Sequence, residues 1–138
     1  MLQRIQSVFL AIALALLGLL FVLPFAAAIG SEGKELVVGS VDFPLVIIQV
    51  ATFGVTLVSI FLYRQRRRQI RLCIANGVAL LGYQAFVLLD VFLLVRQASA
   101  VQYHVAAVFP AIAAIFTFWA IRRIARDEAL VRSLDRLR

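Results

Sequence analysis

Four long apolar blocks alternate with short polar stretches along the chain. The blocks run from about residue 5 to 29, 43 to 63, 72 to 95 and 105 to 124. Each is close to or above the roughly 20 residues that a helix needs to cross about 30 Å of hydrocarbon. The blocks are continuously apolar, whereas the strands of a membrane barrel alternate apolar and polar positions. The pattern predicts a single all-α domain, an integral membrane four-helix bundle.

The basic residues predict the orientation of this bundle. Lys34 and Arg96 fall on one side of it, with the acidic Glu32, Glu35 and Asp42. The other side carries Arg4, before the first block, and all the arginines of the loop and the C-terminal tail: Arg64, Arg66, Arg67, Arg68, Arg71, Arg122, Arg123, Arg126, Arg132, Arg136 and Arg138. Because basic loop residues stay in the cytoplasm, we expect both termini to be cytoplasmic.

The first block permits a second interpretation. Arg4, an apolar run and three alanines at 26 to 28 are also typical of a signal peptide with a small-residue cleavage site. The apolar run is long for a signal peptide, and Pro24 lies close to the cleavage position. We therefore expect an uncleaved first helix; cleavage would leave three spans and an external N-terminus.

Composition supports a membrane protein and argues against other classes. Of the 138 residues, 64% are hydrophobic, against about 45–50% in soluble domains. The net charge of +7 does not indicate nucleic-acid binding, because the charges flank apolar blocks that contain most of the aromatic residues. A single Cys73 and a single His104 cannot form a disulfide or a Cys–His metal centre. We expect no cofactor and no enzymatic activity, because no nucleophile–base pair or phosphate-binding loop can be assembled.

Polar side chains interrupt the second and third blocks at helical spacing. In the second block, positions three or four apart share one helical face: Gln49, Thr52, Thr56, Ser59 and Tyr63. In the third block, positions seven apart share a face, with Gln84 beside them: Asn76, Tyr83 and Asp90. We expect the two faces to meet. Interhelical hydrogen bonding is the favoured role, and a polar path or pocket between helices two and three is the alternative.

Asp90 is the one charged residue clearly inside a predicted span. An intramembrane acid is a functional hypothesis by default. It lies five residues before Val95, so about 7–8 Å from the outer boundary at the helical rise. A proton or ion path would need a second ionisable group deeper in the bundle. The position therefore favours a structural or partner-contacting acid over an acid that handles protons or a substrate.

The tail from residue 121 onwards contains neither Gly nor Pro. Arg123 with Asp127, and Glu128 with Arg132, are four apart and favour a helix. The fourth helix is thus predicted to continue as an amphipathic extension over 125–138. Together with the loop arginines, this extension should attract anionic lipid headgroups. A docking surface for a protein partner is the alternative.

The two ends of the chain carry a family resemblance. Residues 1–7 (MLQRIQS) and 127–138 (DEALVRSLDRLR) resemble the ends of an uncharacterised bacterial membrane family, domain of unknown function 4293. The resemblance implies four spans, the inner membrane of a Gram-negative cell and a tail that is more than a random basic end. It transfers no catalytic residue.

These observations lead to two functional hypotheses. The first is a small non-enzymatic membrane protein, an accessory or assembly subunit of a larger inner-membrane complex, with anionic lipids and other membrane subunits as partners and no nucleic acid. The second is a small transporter or channel with a polar path between helices two and three. The sequence leaves open whether a quinone or a lipid binds between the helices.

Overall fold

A computed structural model describes residues 2–30, 35–38, 43 and 45–135. The helices are α1 (Leu2–Leu19), α2 (Leu45–Phe61), α3 (Arg66–Gln97) and α4 (Phe109–Asp135). The strands are β1 (Ala26–Gly30), β2 (Glu35–Val38) and β3 (Ala98–Tyr103). Short 3₁₀ turns follow α2 and precede α4. Among the described residues, α2, α3 and α4 belong to segments long and apolar enough to cross a membrane: Leu45–Arg64, Arg66–Arg96 and Val105–Ser133.

The prediction of one helix over residues 5–29 is wrong beyond Leu19. Pro24 has no N–H to donate to a carbonyl four residues earlier, and its ring would clash with that carbonyl. The chain therefore leaves the helix in a turn, in which the amides of Val22 and Leu23 both donate to the Leu19 carbonyl at 3.1 Å. The apolar part of α1, Ser7–Leu19, is shorter than the three apolar segments that contain α2, α3 and α4.

A small antiparallel sheet corrects the all-α prediction. β1 is the central strand, in the order β2–β1–β3. It pairs Ala26 with Val38 on one side and with Tyr103 on the other. These strands follow α1, precede α2 and follow α3, so the chain pairs at one end of the helices, where backbone groups need partners outside a helix. Residues 39–42, which follow β2, lie outside the described residues.

The helices pack so that each contacts two neighbours. α1 packs against α2 and α4, and α3 packs against the same two helices. α3 starts directly after the turn that ends α2, so these two helices run antiparallel. The Phe9 ring on α1 lies 5.9 Å from the Trp119 ring on α4. The first half of α1 therefore lies beside the middle of α4, where Leu10 also packs with Ala120 and Ile124.

The helical body has two chemically different ends. We call the end that carries residues 64–71 and α4 from Arg122 onwards the basic end, and the opposite one the sheet end.

The predicted continuation of the fourth helix is confirmed, since α4 is continuous to Asp135; residues 136–138 lie outside the described part of the chain. The first residues of the predicted fourth span, Val105–Val108, form a 3₁₀ turn instead of α-helix.

Candidate functional site

The polar residues of α2 lie inside the helical body and not on its surface. Gln49, Thr56 and Ser59 are 0% exposed, and Thr52 is 2% exposed. Apolar side chains lie on the outer surface instead; Val78 on α3, for example, is 67% exposed. A polar interior with an apolar exterior is the distribution expected where lipid takes the place of water.

Gln49 joins three helices through its side-chain amide. Its Nε2 donates to the Leu17 carbonyl of α1 at 3.3 Å. Its Oε1 accepts a hydrogen bond from the Tyr83 hydroxyl of α3 at 2.8 Å. Both ends of the amide are therefore used, and Tyr83 is itself 0% exposed. Such a bridge fixes how the three helices are rotated relative to one another.

A second pair of contacts joins α2 and α3 closer to the basic end. Asn76 Nδ2 donates to Thr56 Oγ1 at 2.8 Å, and Gln69 Nε2 donates to the Ser59 carbonyl at 2.9 Å. The two predicted polar faces thus meet through side-chain hydrogen bonds. We call these residues the polar row: Gln49, Thr52, Thr56, Ser59, Gln69, Asn76 and Tyr83.

The hydroxyls of the polar row are also used within α2. The Thr56 hydroxyl donates to the Thr52 carbonyl at 2.7 Å, and the Ser59 hydroxyl donates to the Val55 carbonyl at 2.7 Å. This back-bonding to the preceding turn satisfies a hydroxyl without a partner helix. One acceptor differs, because Asn76 Oδ1 is buried and has no hydrogen-bond partner among the described residues. With that exception, the bonded row leaves little unsatisfied polarity to hold a ligand.

Gln84 contacts α4 and not α2. Its Nε2 donates to the Ala107 carbonyl at 3.1 Å, and its Oε1 accepts from the Ala111 amide at 3.0 Å. The first amides of a helix have no partner within that helix. Gln84 therefore caps the start of α4 from the side, and its role is to hold α3 against α4.

Asp90 lies half-buried on α3 towards the sheet end. One turn further along, Leu94 packs beneath the sheet against Ala26 and Ala28. The acid is therefore separated along α3 from Tyr83 by seven residues, or about 10 Å of helix. Its chemical role stays a prediction.

At the basic end, an ion pair joins the start of α3 to α4, and a second one lies within α4. Glu128 accepts from Arg67 Nε at 3.3 Å and from Arg132 Nε at 3.1 Å. The hydrogen bond from Arg67 is the largest cause that holds the pKa of Glu128 below its ordinary value; desolvation opposes it, and the hydrogen bond and charge of Arg132 add to the lowering. Arg66 reaches the Asp127 carbonyl at 3.4 Å. These contacts tie the start of α3 to the extension of α4.

The remaining predicted arginines with described side chains point to the surface of the same end. The exposed ones are Arg64, Arg68, Arg71, Arg122, Arg123 and Arg126. A cleft of about 530 Å³ opens between the α2–α3 connection and α4, lined by residues 64–68, Glu128 and Val131. A second cleft of about 350 Å³ lies beside Phe9 and Trp119. Arg136 lies outside the described residues.

An apolar groove runs between α3 and α4 on the outside of the helices, with a volume of about 690 Å³. Its small residues are Gly77, Ala111 and Ala114. Its larger residues are Ile74, Val78, Leu81, Ile115, Phe118 and Ile121. A Cβ atom on Gly77 would meet no atom within 4 Å. We call this surface the α3/α4 groove.

Two features of the site were missed from the sequence. Gln69 was overlooked because it lies before the apolar block, although it precedes Asn76 by seven residues and so extends the stripe of α3. The α3/α4 groove was overlooked because its residues are ordinary for a lipid-facing helix. Only the pairing of α3 with α4 brings Gly77 opposite two alanines.

Fold and site together define a helical protein with polar contacts inside and a basic end, in which three helices of the described part of the chain are long and apolar enough to cross a membrane. Among the described residues, no group of three His, Cys, Asp or Glu side chains could hold a metal ion. The sequence profile of a family described as a domain of unknown function (DUF4293) matches residues 2–137. The chain belongs to this family. No curated protein and no solved structure matches it.

Proposed function

We propose that this is a four-span protein of the bacterial inner membrane with both termini in the cytoplasm. The apolar exterior of α2, α3 and α4 supports insertion, and the arginines of the basic end support a cytoplasmic location for that end. α1 has 18 residues, or about 27 Å of helix, close to the roughly 30 Å of hydrocarbon. The packing of its first half beside the middle of α4, through Phe9 and Trp119, supports a start of α1 at the basic end as well.

The proposed role is that of a non-enzymatic accessory or assembly subunit in a larger membrane complex. The observation that supports this role is that the interior polar groups are used in hydrogen bonds within the protein. The side chains of Gln49 and Tyr83 are used in hydrogen bonds between helices. The groups that are available to other molecules therefore lie on the outer surfaces. A protein with this distribution works by contact.

The basic end is the surface best suited to a protein partner. The ion pair of Arg67 with Glu128 joins the start of α3 to α4, while Arg64 and Arg68 remain exposed beside the cleft. A braced surface loses less conformational entropy on binding than a loose one. Its charge fits an acidic cytoplasmic segment of a neighbouring subunit.

Extraction from native membranes tests this role. The tagged full-length protein is solubilised in mild detergent and separated on a native gel. We expect it to migrate in a larger complex with a second protein in fixed stoichiometry. Migration alone or as a homo-oligomer would contradict the accessory role.

A small transporter or channel is the second candidate, and one observation favours it. The unpartnered Asn76 Oδ1 in the polar row is an acceptor that a passing solute or water could use. Reconstitution into proteoliposomes tests this candidate, with Asp90→Asn as the comparison, since Asp90 is the acid nearest the row on α3. Flux that exceeds that of empty liposomes and falls in the variant would support transport, and flux equal in both proteins would remove Asp90 from the path.

A further inference from the structure

The α3/α4 groove is a surface that the helices leave open. Its residues Val78, Leu81 and Phe118 are 67%, 62% and 55% exposed, and the site of Gly77 is open space. In a membrane such a groove is in contact with lipid tails or with another protein. Its length and its charged end distinguish between these occupants.

The groove is too short for a spanning helix. Along α4 it extends from Ala111 to Ile121, which is about 15 Å at the helical rise. This is half of the roughly 30 Å of hydrocarbon in a bilayer, so the groove has the depth of one leaflet. A transmembrane helix of a partner or of a second copy would have to continue past it over the full thickness.

Arginines stand at the end of the groove that faces the basic end. The Arg122 guanidinium lies 5.9 Å from the centre of the Phe118 ring, which lines the groove. On the other wall, Arg71 precedes Ile74 by three residues and therefore lies on the same face of α3, one turn further out. Both arginines are exposed. A guanidinium binds a phosphate through two parallel hydrogen bonds.

We propose that the α3/α4 groove is a binding site for an anionic phospholipid of the cytoplasmic leaflet. One acyl chain lies in the groove over Gly77, and the headgroup phosphate contacts Arg71 and Arg122. The assignment rests on the membrane placement proposed above. It turns a general attraction between a basic surface and lipid into a defined site with its own selectivity.

A matched pair of glycine variants tests the acyl-chain part. Native mass spectrometry of the full-length protein in mild detergent measures binding of phosphatidylglycerol and phosphatidylcholine. Gly77→Leu should weaken binding of both lipids by about tenfold or more, because its side chain displaces several chain methylenes from the groove. Gly82→Leu, on the same helix and also next to open space, should bind both lipids like the wild type.

A matched pair of arginine variants tests the headgroup part. The Arg71→Gln/Arg122→Gln protein should lose binding of phosphatidylglycerol by roughly 30-fold, since each surface arginine contributes about fivefold. Its binding of phosphatidylcholine should change much less. The Arg64→Gln/Arg123→Gln protein has the same net charge but keeps Arg71 and Arg122, and it should retain the preference for phosphatidylglycerol.

Several results would overturn the site. Unchanged lipid binding by Gly77→Leu, or an equal loss in the two arginine variants, would leave no defined groove site. Co-purification of a protein with the wild type that Gly77→Leu alone releases would assign the groove to a partner helix. These failures differ from a failure of the membrane placement, which would appear as wild-type protein absent from the membrane fraction.

Discussion

Helix α3 presents two opposite kinds of surface to its neighbours. Towards α2 it carries Asn76 and Tyr83, which are buried and hydrogen-bonded. Towards α4, over the same stretch, it carries Gly77 and Leu81, which line an open apolar groove. Apolar side chains gain little from each other where lipid tails are equally apolar, so polar bonds matter at both interfaces. Asn76 and Tyr83 supply them along the α2/α3 interface, whereas Gln84 supplies them only at the start of α4, which leaves the groove beside it open.

The comparison separates the structural residues from the binding residues. The polar row fixes how the helices are rotated relative to one another, and few of its polar atoms lack a hydrogen-bond partner. The groove and the exposed arginines of the basic end lie on outer surfaces, where other molecules can reach them. Variants in the two regions should therefore differ in which property they change.

The largest effect on stability is expected from Gln49→Leu. The change removes both interhelical bonds of Gln49 and leaves the Tyr83 hydroxyl buried without its acceptor. We expect a loss of about 1–3 kcal/mol in the free energy of unfolding. Reversible unfolding in mixed detergents measures it, with Val50→Leu as the control on the exposed face of α2. A loss no greater than that of the control would mean that the bridge does not hold the helices.

A larger side chain in the α3/α4 groove should raise the free energy of unfolding instead of lowering it. Gly77→Leu places a side chain in open space and replaces a poor helix former. We expect the free energy of unfolding to rise by up to about 1 kcal/mol, while lipid binding falls. A clear destabilisation in the same unfolding assay would show that the groove is part of the helix packing.

Asn76→Leu should cost less than Gln49→Leu, although both residues lie in the polar row. Asn76 loses one bond to Thr56, but the change also removes the buried acceptor that has no partner. Interhelical side-chain bonds in membranes contribute about 0.6 kcal/mol on average, so the net change should stay below about 1 kcal/mol. A loss as large as that of Gln49→Leu would indicate that Asn76 Oδ1 has a partner in the native protein.

The smallest effect is expected at the basic end, from the acid that braces it. Because the pKa of Glu128 is lowered from its ordinary 4.5, its pairing contributes stability above that pH and loses it as the pH falls through the lowered value. The stability difference between the wild type and Glu128→Gln should therefore shrink on acidification. Unfolding measured between about pH 7 and pH 3 checks this sign, and a difference that grows on acidification would contradict it.

The sequence predicted the helices more closely than their ends. Apolar blocks and helical spacing were sufficient for α2, α3, α4 and the contact between the polar faces. The spacing could not show that Pro24 ends α1 early, because a proline can also kink a membrane helix. Nor could it show β1, since three alanines and an isoleucine are compatible with a helix until β2 and β3 supply partners.

The site was predictable to the extent that it depends on the chemistry of single helices. The stripe of Asn76 and Tyr83 follows from a repeat of seven. Gln84 directly follows Tyr83 in the sequence. Its contact with the start of α4 could not be predicted without knowing which helices are neighbours. The α3/α4 groove depends on the same information, because a gap between helices has no sequence signature.

One measurement tests most directly whether function lies on the outer surfaces. Three proteins are extracted from native membranes and compared on native gels: the wild type, Tyr83→Phe and the basic-end variant Arg64→Gln/Arg68→Gln. We predict a stoichiometric complex with a second protein for the wild type and for Tyr83→Phe, and a folded but unassembled chain for the basic-end variant. A wild type that migrates alone, or a complex lost with Tyr83 and kept without the two arginines, would contradict the account.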